Sequence, residues 1–161
     1  MNLWLDCPLR ANVSRLLHKK DAWELCQNFP VRFNYGKETI LSFTIKRGFV
    51  FDFASVPWLL RGFFPRVGQK TDGPALIHDA LYLTELVDRK TADDLFLFAM
   101  RDEFAVNRFK ADLMHAGVRA GGWYVWNKHT EESIREARKQ LDNIFIDIPK
   151  LSKALDEWRH W

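Results

Sequence analysis

Between Val31 and Phe51 the side chains alternate apolar and polar, and from Pro74 onward apolar residues recur at helical spacing. Period two belongs to half-buried strands; spacings of three and four belong to helices. The change of period implies an α+β fold, with a small antiparallel sheet followed by helices. Val31 to Tyr35 and Ile40 to Ile45 alternate, with Gly36-Lys37 as the turn between them. Lys46-Arg47-Gly48 then turns into Phe49-Val-Phe51, completing a small meander. Residues 1–30 are poorly patterned, and Trp4, Leu16, Leu17 and Trp23 are expected in the core. Ser55 and Pro57 end the β region, and Trp58 to Phe64 reads as a short helix or aromatic loop.

Helical spacing predicts a first helix from about Pro74 to Leu86, with Asp72 as its N-cap. A short link at Val87–Lys90 favours an antiparallel partner running from an N-cap at Thr91 to about Phe104. A third helix is expected over about Asn107–Ala120, stopped by Gly121-Gly122. Beyond Asn127, residues Ile134, Ala137, Leu141, Ile144, Ile148, Leu151, Leu155 and Trp158 repeat at three and four, a heptad seam broken at Pro149. The chain therefore divides into a domain at 1–127 and a helical tail at 128–161. That tail either folds back on its own body or docks, by self-association or on a partner.

With 161 residues, 47% of them hydrophobic, the chain can bury a substantial core. A net charge of +3 is too weak and too evenly spread to point to nucleic acid. No apolar run reaches the roughly 20 residues of a membrane-spanning helix, and no signal peptide opens the sequence. Cys7 and Cys26 have no CxxC spacing, so neither a disulfide framework nor a zinc site is expected. The expected setting is soluble and reducing. The aromatic run from Phe49 through Phe64 is read as core, with a membrane-facing platform as the alternative.

The stretch Asp72-Gly-Pro-Ala-Leu-Ile-His78-Asp79-Ala-Leu-Tyr82 sets polar residues inside an apolar run. His78 and Tyr82, four apart, share a helix face, while Asp79 points elsewhere. A second acidic pair, Asp93-Asp94, follows in a similar apolar setting. Two facing helices carrying these groups can build an oriented general base beside a metal ligand. Asp94 is expected to be the solvated member of its pair. Arg119 is a candidate partner for Asp52 or Asp93, and His115, His129 and His160 read as surface or capping residues. An HD phosphohydrolase also has adjacent His-Asp but needs a further upstream histidine on a helix, and only His18 precedes.

Four motifs in order carry a family resemblance: Gly48-Phe-Val-Phe-Asp52-Phe-Ala-Ser55-Val-Pro57, His78-Asp79-Ala-Leu-Tyr82, Arg89-Lys-Thr-Ala-Asp93 and Gly117-Val-Arg119. Together they resemble a bacteriophage and prophage family of unknown function, DUF1353, over about Ile45 to Trp126. The pattern Asp72-x-x-Ala75-x-x-His78-Asp79-x-x-Tyr82, followed by Ala92-Asp93, more distantly resembles the active-site helices of phospholipases A2, nearest the form in parvovirus capsids. That likeness implies His78 as general base, Tyr82 and Asp93 as the pair that orients it, and Asp79 as a Ca²⁺ ligand. Asp52 is a further candidate carboxylate for the metal. The segment Gly62-Phe-Phe-Pro-Arg-Val-Gly68 lacks the tyrosine and close glycines of the phospholipase calcium loop.

These resemblances imply a phage accessory protein in the virion, at the tail or tail tip. It would be a calcium-dependent phospholipid esterase that helps breach a host membrane. The alternatives are a non-catalytic adaptor attached to other phage proteins through residues 129–161, or an intracellular inhibitor of a host defence. The implied locations are the virion or the host cytoplasm.

Overall fold

The computed structural model describes residues 2–17, 22–52 and 70–160, and these form two antiparallel sheets and five α-helices. The larger sheet has four strands in the order β1 (Leu3–Asp6), β4 (Phe29–Tyr35), β5 (Glu38–Ile45) and β7 (Leu141–Ile146). Strands β4 and β5 form the hairpin that the alternation predicts, with Gly36 at a φ of 62° in the turn. A register shift lies between Phe33 and Asn34, where Phe33 pairs with Leu41 and Asn34 with Thr39. The bulge absorbs Ile40, so Ile40 and Leu41 are both buried despite being neighbours.

The smaller sheet runs β2 (Val13–Arg15), β3 (Ala22–Leu25), β6 (Val50–Asp52). The expected three-strand meander is therefore corrected. Strand β6 leaves its predecessor and pairs with β3, and the free side of β5 is taken by β7. Residues 1–30, unpatterned by eye, supply three short strands. In β1 only Leu3 and Leu5 face inward, while Trp4 is 45% exposed; Leu17, expected in the core, is 95% exposed.

Helix α1 (Asp72–Thr84) is buried along almost its whole length, as suits an element enclosed on several sides. Its N-cap is Thr71, with Asp72 inside the first turn. Its C-terminal carbonyls are met by Arg138, whose Nε donates to Thr84 O at 2.7 Å and whose Nη2 donates to Glu85 O at 3.0 Å. Helix α2 (Arg89–Phe98) is capped by Asp88, whose carboxylate accepts from Thr91 N, so the cap lies three residues before the expected one. A π-helical turn, Ala99–Glu103, extends it.

Helix α3 (Arg108–Trp126) runs straight through Gly121-Gly122. The expected stop fails because Gly122 lies against Tyr82, where a Cβ would sit 2.3 Å from the phenol oxygen. Here glycine serves close approach, not termination.

Residues 128–161 do not form a heptad seam. They fold as α4 (Glu131–Arg138), β7 and α5 (Ile148–Arg159). Leu141 pairs with Ile45 at the sheet, Ile144 points to solvent, and Leu151, Ala154, Leu155 and Trp158 bury α5 against the larger sheet and α2. Apolar spacing across a strand and two helices happened to mimic one long stripe.

Phe49 and Phe51 are core residues at 2% exposure. The remainder of the expected aromatic platform, the calcium-loop segment and His18 lie outside the described residues. No helix among the described residues is long and apolar enough to cross a membrane.

Candidate active site

The link at residues 85–88 returns α2 along α1, so His78 and Tyr82, one turn apart on α1, both face Asp93 of α2. His78 Nε2 lies 2.9 Å from Asp93 Oδ1, and the Tyr82 hydroxyl donates to that oxygen at 2.9 Å. Arg119 of α3 donates to the other oxygen, Oδ2, at 2.7 Å, and the Arg89 guanidinium stands 3.6 Å from it. Asp93 itself is fully buried. A carboxylate taken out of water at this depth persists only with its lone pairs filled and its charge countered. These four residues do both.

The electrostatics follow. Burial alone would raise the Asp93 carboxyl, but the hydrogen bond and charge of His78, and hydrogen bonds from Arg119 and Tyr82, outweigh it and hold it below the usual range. Burial, with the nearby Asp93 charge, pushes the Tyr82 phenol well up, so it stays a donor. An ionised carboxylate has no proton to share, so His78 Nε2 carries the hydrogen of this bond, and in the neutral imidazole Nδ1 would be the acceptor. Nδ1 lies 4.0 Å from Asp79 Oδ1, beyond hydrogen-bonding distance. The imidazole is held between the rings of Tyr82, centroids 4.3 Å apart, and Phe96, 4.7 Å apart. It is therefore fixed in position as well as in tautomer.

The structure thus brings His78, Tyr82 and Asp93 together and sets Asp79 on the far side of the ring. Arg119 joins Asp93, one of its two candidate partners. Arg89 was not assigned a role from sequence, although its i,i+4 spacing to Asp93 is the signal that finds it.

Asp94 is corrected. It is buried at 6% exposure, not solvated, and is met by Lys90 at 3.0 Å, by Arg159 of α5, and by His115 Nε2 at 3.6 Å. Burial again pushes its carboxyl upward, yet the nearby His115 imidazole and the hydrogen bonds from Lys90 and Arg159 prevail and lower it strongly. His129 is also not a lone surface residue, since its Nδ1 lies 2.9 Å from Glu85 Oε1.

Among the described residues no calcium shell is formed. Ca²⁺ takes about six to eight oxygen ligands, and no group of three or more acidic, histidine or cysteine side chains among the described residues can hold a metal ion. Asp79 offers one carboxylate. The backbone of Asp52 pairs with Ala22 at the end of β6, and its side chain lies outside what is described.

A family model described as a protein of unknown function, DUF1353, matches residues 23–118, more than half of the chain. The chain belongs to this family. DUF1353 thus spans β3 through most of α3, so it holds His78, Tyr82, Arg89 and Asp93 and ends one residue before Arg119. The match begins well before Ile45, where the motifs alone would start it, and takes in the β4–β5 hairpin. No curated protein and no solved structure matches the chain.

Proposed function

We propose that this DUF1353 protein is an accessory component of a bacteriophage particle, at the tail or tail tip, that hydrolyses phospholipid esters with His78 as general base. One observation carries the reading: a buried carboxylate on one helix orients a histidine on the next, with a tyrosine on the same oxygen. That is the arrangement by which phospholipases A2 prepare an imidazole, and the phage setting rests on the motif resemblance.

In this scheme Nδ1 of His78 takes a proton from water, and the hydroxide formed attacks the ester carbonyl. Asp93 stabilises the imidazolium, which then returns the proton to the departing alkoxide. Tyr82 and Arg119 act through Asp93 and hold it in place. Calcium belongs to the proposal as the ion that Asp79 would contact, and no step is assigned to it.

A non-catalytic adaptor is the second reading. The observation favouring it is that His78 is only 3% exposed, while Arg119 and Arg89 already counter Asp93. Such a network also serves as a specific core.

One assay separates the two: fatty-acid release from mixed phospholipid vesicles, with calcium and with chelator, for the wild type and His78→Ala. The esterase reading expects calcium-dependent turnover that falls at least about a hundredfold in the variant, with the circular dichroism spectrum retained. Absence of turnover by folded wild type under both conditions would leave the adaptor.

A further inference from the structure

Helix α3 keeps one long side out of the core. Ala111, Met114, Val118 and Gly122 bury its inner side, while Phe109, Trp123 and Tyr124 are exposed at 78%, 54% and 56%. At 3.6 residues per turn, positions 109, 116, 120 and 123 fall within about 60° of one another. Ala116 and Ala120 are exposed as well, so an apolar stripe runs from Phe109 to Trp123, a length of about 21 Å. A contiguous exposed stripe of this kind marks an interaction surface.

Charge decides what it meets. Residues 108–128 carry Arg108, Lys110, Arg119 and Lys128 against one acid, Asp112. Asp112 is tied to Arg101, and Arg119 is occupied with Asp93. Arg108 and Lys110 flank the stripe on opposite sides, each about 100° around the helix from Phe109. Lys128, one residue past the C-cap, lies over the Tyr124 ring at 3.9 Å. The next acids along the chain, Glu131 and Glu132, stand in the first turn of α4, whose positive end they complement. A second copy of the chain on this side would set the three cations against their own kind.

We infer that this side of α3 docks on the surface of an anionic phospholipid bilayer. Phe109 and Trp123 enter the head-group boundary as apolar anchors, and Tyr124 keeps its hydroxyl at the wet level. Arg108, Lys110 and Lys128 reach outward to the negative head groups on either side of the stripe. The opposite side of α3 holds Gly122 against Tyr82, so docking sets the His78 network behind the lipid-facing helix. Docking needs no turnover and does not depend on the esterase reading.

The test is co-sedimentation of the full chain with vesicles of ether-linked lipids, which carry no ester to cleave. One set is phosphatidylcholine alone; the other also contains phosphatidylglycerol. Two double variants are compared with wild type. Phe109→Ser with Trp123→Ser removes the anchors, and Arg108→Gln with Lys128→Gln removes charge. All four side chains are exposed, so the circular dichroism spectrum is expected to match that of wild type. The expected result is binding to the phosphatidylglycerol vesicles that weakens with added salt and falls about tenfold or more in each pair. Absence of binding by folded wild type, equal binding to both vesicle types, or an affinity unchanged in either pair overturns the inference. So does a dimer in sedimentation equilibrium that the Phe109 and Trp123 pair abolishes, since it assigns the stripe to a second copy.

Discussion

Gly122 shows how one missing side chain can decide a site. The Tyr82 ring has little freedom to retreat. It packs at a tilt against His78, meets Trp126 edge-on at 5.1 Å, and ties its hydroxyl to Asp93. A Cβ at position 122 would lie 2.3 Å from that hydroxyl oxygen but 3.2 Å from the nearest ring carbon. Alanine is favoured over glycine in a helix by about 1 kcal/mol, while forcing an atom into a packed core costs about 1–3 kcal/mol. The clash is severe enough to win. Gly122→Ala is expected to lose about 1–2 kcal/mol in urea unfolding. Because the worst contact is with an oxygen, Tyr82→Phe should relieve much of the loss. A double variant less stable than the sum of the two singles would show that the phenol oxygen is not the obstacle.

At the scale of elements, the C-terminal residues are structural parts and not an appendage. Strand β7 covers one edge of β5, and α5 lies across the sheet with Leu151, Leu155 and Trp158 inward. Trp158 stands edge-on to Phe98 at 5.6 Å, and its indole N–H donates to Asp102 at 2.7 Å. Arg159 ties the same helix to Asp94 of α2. Trp158→Ala therefore removes a large buried ring and leaves Asp102 without that donor. The expected cost is about 3–5 kcal/mol, read as a lower denaturation midpoint with an unchanged m-value. A variant within about half a kcal/mol of wild type, the range of ordinary surface changes, would show that α5 contributes little to the core. Deleting residues 129–161 is unsuitable as a test of docking, since it removes a strand and two helices from the body.

At the scale of the whole molecule, two adjacent carboxylates join four helices. Asp93 of α2 reaches α1 and α3, and Asp94 of α2 reaches α3 and α5. Both are held below the usual aspartate range in the fold. A carboxyl lowered in this way contributes stability at every pH above its unfolded value of about 4. That contribution is lost as the pH falls through the folded value. Stability is thus expected to drop steeply below about pH 4. Asp93→Asn should flatten part of that acid slope and cost about 3–5 kcal/mol at neutral pH, because Arg119 and Arg89 lose their counter-charge. Chemical denaturation of both proteins across pH 2–7 would read this directly, and equal acid slopes would refute the linkage to Asp93.

The α+β class, the β4–β5 hairpin, the α1–α2 pair and the meeting of His78 with Tyr82 on one face were legible from the chain alone. Each is a short-range matter of side-chain period or of i,i+4 geometry, which the backbone imposes locally. Strand pairing was not legible. A three-residue strand such as β6 or β2 carries too little pattern to name a partner, and β7 joins β5 from about a hundred residues away. Nor could spacing reveal that Gly122 admits Tyr82, or that Asp94 is enclosed by Arg159. Those facts depend on which surfaces meet when distant elements pack, and only the assembled core determines that.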